Sequence, residues 1–108
     1  MTLQVEPGTS DTAHPPFTLR WEGNFPNPFN PRTVLAFTLP AAGPAVVEVF
    51  DAGGRRVRTL WRGPLPAGRS TVLWDGRDDA GRDVAAGAYL ARLRGAGTAA
   101  SHKMVLTR

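Results

Sequence analysis

Asn24-Phe25-Pro26-Asn27-Pro28-Phe29-Asn30-Pro31, the run NFPNPFNP, sets three prolines and three asparagines in eight residues. Each proline fixes its own φ at about −65°, lacks an N–H and pushes the preceding residue toward extended backbone. A helix is excluded, and so is a central strand. The asparagine side chains can close local turns. Phe25 and Phe29 then read as two rings on a stiff extended strap, both pointing down onto a hydrophobic surface. Such a strap needs a fold beneath it. The alternative, a rigid interdomain linker, rarely carries two phenylalanines.

Strand patterns lie on both sides of the strap. Upstream, Phe17, Leu19 and Trp21 alternate with Thr18, Arg20 and Glu22. Downstream, TVLAFTL (33–39) places Leu35, Phe37 and Leu39 on one face and stops at Pro40. AVVEVF (45–50) points Ala45, Val47 and Val49 inward, with Glu48, like Glu22, on the solvent side. The turn DAGG (51–54) leads into RRVRTLW, which together read as a hairpin. Val57 and Leu60 are three apart, a break in alternation that predicts a bulge or an early strand end. GPLPAGR (63–69) reads as a loop, Ser70, Val72 and Trp74 as the inward face of the next strand, and DGRDDAGRD as a polar turn. Gly87 opens AYLARLR with Tyr89, Ala91 and Leu93 inward. After GAG (95–97), a last strand over 99–107 turns Met104 and Leu106 to the core.

About seven strands at this spacing predict an all-β, antiparallel immunoglobulin or fibronectin-III-like sandwich over residues 17–108. Twelve glycines and ten prolines in 108 residues, without a Gly-X-Y period, agree with short elements joined by many turns. Residues 1–16 read as a linker or the end of a preceding domain, so the chain is expected to be the tail of a longer protein, with Met1 a cloning or gene-model start. No apolar run is long enough to span a bilayer, and no basic stretch precedes an apolar one, so neither membrane insertion nor a signal peptide is expected within these residues. The absence of cysteine excludes disulfides, thiolate metal sites and cysteine catalysis.

The net charge of +4 comes from twelve arginines and one lysine, Lys103. The arginines are spread from Arg20 to Arg108 and interrupted by Asp75, Asp78, Asp79 and Asp83, which does not match the clustered basic face of a nucleic-acid reader. Arg55, Arg56 and Arg58 form a run, read as a charged strand edge that discourages sheet-to-sheet association. The four aspartates are the residues that would ligate calcium if any did. Calcium takes six to eight oxygens, and the EF-hand spacing is missing, so turn chemistry is expected instead, with Asp75 accepting backbone hydrogen bonds. No metal or cofactor is expected. His14 and His102 have no placed partner, and Ser10, Ser70 and Ser101 lack a nucleophile-elbow context, so no catalysis is expected. Trp21, Trp61 and Tyr89 could stack on sugars in a carbohydrate-binding accessory module. Trp74 and Tyr89 follow the inward phase, however, which leaves Trp61 as the exposed ring.

Five ordered blocks carry a family resemblance: NFPNPFNP with Thr33, the hairpin VFDAGGRRV (49–57), Ala67-Gly68 with WDGRDDAG (74–81), Gly87-Ala88-Tyr89, and the closing KMVLTR (103–108). Together they resemble the immunoglobulin-like C-terminal module related to that of the flagellar hook capping protein. That module is in turn similar to the type A sorting domain of the type IX secretion system. The resemblance implies a β-sandwich that is not an enzyme, a monomer attached to a passenger domain before residue 17. It would be handled by secretion or surface-assembly machinery and delivered to the outer-membrane surface or the exterior. By the same resemblance the strap matches at Pro26, Asn27 and Pro28, the glycine-x-tyrosine block at Gly87 and Tyr89, and the terminal motif at Lys103, Met104, Val105, Leu106 and Arg108. These last five are the expected partner-recognition residues. Phe25 stands where the sorting pattern has tyrosine, and Thr107 interrupts its apolar run. Flagellar hook assembly is the alternative role that the resemblance implies.

Overall fold

Period-two alternation becomes seven strands in the computed structural model, which describes residues 19–108. They are β1 (Arg20–Phe25), β2 (Thr33–Leu39), β3 (Gly43–Asp51), β4 (Arg56–Leu65), β5 (Gly68–Trp74), β6 (Gly87–Gly95) and β7 (Thr98–Leu106). A three-stranded sheet, β1-β2-β5, faces a four-stranded sheet, β4-β3-β6-β7, and every pairing is antiparallel. The expected immunoglobulin-like sandwich is therefore the fold. The alternation expected upstream of residue 19, including Phe17, and the spacer with His14 lie outside the described residues.

The core forms where the two inward faces meet. Leu35, Phe37 and Leu39 from β2 pack with Ala45, Val47 and Val49 from β3, Ala91 and Leu93 from β6, and Met104 and Leu106 from β7. Each large aliphatic or aromatic side chain fully removed from water stabilises by about 1.5–3 kcal/mol. Trp74 is wholly buried at one end, 5.4 Å from the Phe29 ring and 5.2 Å from the Tyr89 ring. Its indole N–H donates to the carbonyl of Arg77, and the Tyr89 hydroxyl donates to the carbonyl of Ala85. A tyrosine at the start of the sixth strand that bonds back to the preceding corner is the tyrosine corner of immunoglobulin-like sandwiches.

Bulges decide which side chains face in. On β4, Val47 pairs with Trp61 and Glu48 with Thr59, then Val49 with Arg58 and Phe50 with Arg56, so Leu60 and Val57 are the extra residues. Those two side chains pack against the core, which explains their three-residue spacing. The strand does not end early. It runs on to Leu65, and β5 begins at Gly68, so the loop expected over 63–69 shrinks to Pro66 and Ala67. Pro64 is tolerated there because β4 is an edge strand, where a missing N–H leaves no ladder bond unmade.

A third bulge overturns part of the expected strap. Trp21 pairs with Phe37 and Gly23 with Ala36, leaving Glu22 unpaired. The slip reverses the side-chain phase, so Asn24 turns inward beside Leu35 and Phe25 turns outward beside Val34. Asn24 and Phe25 thus belong to β1, and Phe25 is 56% exposed rather than packed on the core. The peptide bonds preceding Pro26, Pro28 and Pro31 are cis.

Candidate functional site

The strap and the closing strand form one unit, through bonds between residues 76 to 78 apart in sequence. The Phe29 N–H donates to the carbonyl of Val105 at 2.9 Å, and the Thr107 N–H donates to the carbonyl of Phe29 at 2.8 Å. The Thr107 hydroxyl adds a bond to the same carbonyl, and the Asn27 side-chain oxygen accepts from the Val105 N–H. Phe29 and Leu106 therefore bridge in parallel, and the Phe29 ring is buried over Trp74. Proline explains the geometry, since a segment with few N–H groups can pair for only a residue or two before it must leave the ladder.

Behind this bridge lies a buried polar cluster. The Asn24 amide donates to Thr33 Oγ1 at 3.2 Å and to the Pro26 carbonyl, while Thr33 Oγ1 donates to the same carbonyl at 2.9 Å. Because a carbonyl can only accept, the Asn24 nitrogen must face Pro26. Its oxygen then accepts from His102 Nε2–H at 2.8 Å. His102 thus lies on the inner side of β7, with its ring 5.9 Å from Trp21, whose own N–H donates to the carbonyl of Ala100. Sequence reasoning placed no partner for His102 and missed Asn24.

Of the five terminal residues, Met104 and Leu106 are core, and Val105 is half-buried with its backbone bonded to the strap. Lys103 is exposed. Arg108 is tied down, its Nε–H donating to the carbonyl of Val84 and its Nη2 to that of Gly76. Gly76 has φ +76°, and a Cβ there would stand 2.9 Å from the carbonyl oxygen of Pro31, so the strap's end and the final arginine both require glycine at this position. Gly87 opens β6, opposite Leu106.

The aspartate-rich turn holds itself together. Asp75 Oδ1 accepts from the Arg77 N–H, as expected, and from Arg58. Asp78 Oδ1 takes the N–H groups of Ala80 and Arg82, Asp79 Oδ1 takes that of Thr59, and Asp83 pairs with Arg77. Hydrogen bonding from the Arg82 backbone, ahead of the other contributions, holds the Asp78 carboxyl below its ordinary pKa. Among the described residues no group of three or more acidic or histidine side chains is placed to hold a metal ion.

Glu48 corrects another expectation. It lies on the outer face of the four-stranded sheet, yet it is only 4% exposed. Arg92 Nη2 and Arg94 Nη2 each reach Glu48 Oε1 at 3.2 Å, and Arg56 stands 3.8 Å from Oε2. Three guanidiniums cover one carboxylate, and Arg92 also lies 4.8 Å over the Phe50 ring. Period two assigned Glu48 to the solvent side correctly but could not show that arginines from two neighbouring strands close over it. Glu22 is exposed as expected. Hydrogen bonds from Arg69 first and Thr38 second hold its carboxyl below the ordinary range. Burial raises the Tyr89 phenol. Trp61 is 37% exposed, with its N–H turned to the carbonyl of Gly63.

The sequence matches the family described as the FlgD Ig-like domain over residues 30–98. No sequence among the curated proteins matches it. Among solved structures, the fold is similar to part of dimeric latent PorU from Porphyromonas gingivalis, with TM-score 0.61 and 24% identity over 77% of this chain. PorZ of the same organism, an essential bacterial surface component of the type IX secretion system, gives TM-score 0.52 and 21% identity over 79% of this chain. FlgD from P. aeruginosa gives TM-score 0.53 and 24% identity over 68%. The chain spans 9% of the PorU chain, 11% of the PorZ chain and 58% of the FlgD chain. At these identities the likenesses speak for the fold.

Proposed function

Because the chain belongs to the FlgD Ig-like domain family, we propose that it is the non-catalytic C-terminal module of a larger exported bacterial protein, serving as a secretion-sorting or cell-surface attachment tail. The observation that carries this reading is the bridge between strap and closing strand. It locks Val105 to Thr107 in place and presents Lys103 at the exposed edge beside them. A recognition element needs such rigidity, because ordering a free tail on binding would cost affinity. Likeness to a surface component of the type IX system supports secretion machinery as the partner class. On this reading residues 17–108 are the module, and a passenger precedes them.

Removing residues 103–108 would delete Met104 and Leu106 from the core and so confound the test. Lys103→Glu leaves the core intact. We expect a passenger fused to residues 17–108 to reach the cell surface in a host with the type IX machinery, and the Lys103→Glu fusion to fail. Equal surface exposure of both, read by protease accessibility on intact cells, overturns the reading. The family match also favours a second role, as a scaffold in flagellar hook assembly. Loss of motility with unchanged export on deleting the gene would select it.

A further inference from the structure

Most of the surplus positive charge of the described residues is gathered on one face. Cross-strand partners share a face, so Arg62, Arg56, Arg92, Arg94 and Lys103 lie with Val46, Glu48 and Phe50 on the outside of the four-stranded sheet. Five cations against one carboxylate leave a surplus of four on that face, with Asp79 reaching Arg56 from the neighbouring turn at 4.0 Å. Glu48 is spent holding Arg56, Arg92 and Arg94 in place, so this face arrives at a partner with its guanidiniums already ordered.

The same face borders an open backbone edge. β7 ends the sheet, and among the described residues its outer side is paired only through Phe29 and Asn27, at Val105 and Thr107. Because N–H and C=O groups alternate sides along a strand, Ala99, Ser101 and Lys103 turn theirs to that same open side. Their side chains stand on the basic face, with Ala99 opposite Arg94, Ser101 opposite Arg92 and Lys103 opposite Leu90. Ala99 and Ser101 are small, so a strand laid along this edge would have Arg94 and Arg92 within reach behind them. The free length, Ala99 to Lys103, is that of an ordinary strand.

Resting on the reading of the closing strand as a recognition element, we propose that this edge accepts an extended acidic peptide segment of the partner. The segment would add as a fifth strand beside β7, with carboxylates at alternate positions pairing with Arg92, Arg94 and Lys103. Backbone bonds supply affinity in strand addition, and alternate side chains supply specificity. A second copy of this chain does not fit, because its own Lys103, Arg92 and Arg94 would meet the same cations at the seam. The strap sets where the added strand must stop.

The probe is a synthetic peptide of alternating valine and glutamate, compared with its glutamine counterpart and titrated into the purified chain. Expected are slowed hydrogen exchange at the Ala99, Ser101 and Lys103 amides and binding about tenfold weaker for the glutamine peptide. Ser101→Pro removes one edge donor where an edge strand tolerates proline, and it should abolish binding. Ala99→Glu, which leaves every arginine in place, should weaken binding about tenfold and decides the matter if the proline variant fails to fold. No binding of the glutamate peptide overturns the proposal. So does binding that Ser101→Pro and Ala99→Glu leave unchanged, or equal competition by a polyanion such as heparin with no amide protection, since the face alone would then be the site. The assay is independent of export, so peptide binding with normal display of a Lys103→Glu fusion would reject the sorting role and keep the edge.

Discussion

Phe25 and Phe29 are the same residue four positions apart in one proline-rich stretch, yet one is 56% exposed and the other 1%. The two rings differ in what precedes them. Phe25 lies three residues after the bulge at Glu22, which reverses the phase of β1 and turns its ring out beside Val34 and Leu73. Phe29 is past the strand and is positioned by its own backbone, whose N–H and C=O are both taken by β7. Burial of an aromatic ring in this segment follows hydrogen-bond register and not hydrophobicity. Four experiments would break or sharpen that contrast.

Phe29→Ala should have the largest effect. It opens a cavity over Trp74 and should cost about 3–5 kcal/mol in denaturant unfolding, with Trp74 fluorescence reporting the loss. A cost below about 1 kcal/mol would mean the bridge holds without its ring. Asn24→Ala comes next. Asn24 is the residue that the bulge turns inward in exchange for Phe25, and its removal leaves Thr33 and His102 short of a partner. About 1–3 kcal/mol is expected, and a stability equal to the parent's would show that the cluster can rearrange.

A third experiment acts on the bulge itself. Arg69 and Thr38 hold Glu22, and the Glu22 pKa in the folded chain lies below its ordinary 4.5. A lowered folded-state pKa contributes stability that is present above about pH 4.5 and lost as pH falls through the folded value. Arg69→Ala should therefore raise the pH midpoint of acid unfolding, by a small amount because the pair is exposed to solvent. Superimposable acid titrations would show that the ion pair does not stabilise the bulge. Phe25→Ala should do least, changing stability by no more than about 0.5 kcal/mol. A loss near that of Phe29→Ala would place both rings in the core after all.

The strands were largely legible because each repeats a local rule several times. Leu35, Phe37 and Leu39, or Tyr89, Ala91 and Leu93, state their inward face by period two, and the packed sheets agree. The three-residue spacing of Val57 and Leu60 even marked the bulges of β4. The bulge at Glu22 had no such mark, because Gly23 and Asn24 carry no apolar side chain to betray the change of phase. The candidate site was legible as residues but not as an arrangement. Lys103 to Arg108 and the strap stood out separately, while their hydrogen-bonded union depends on contacts across 78 positions.

The sequence by itself determined the all-β class, the approximate strand positions, most of the inward residues and the chemistry of the turns. These follow from properties that residues have alone or with near neighbours, such as the φ of proline or the alternation of a strand. Only the tertiary structure decided that Phe29 is clamped by the last strand, that Glu48 is buried under Arg56, Arg92 and Arg94, and that five cations gather on one sheet face. Each of these is set by which strands lie side by side and in what register. That is decided by the packing of the whole core, which no local stretch of residues contains.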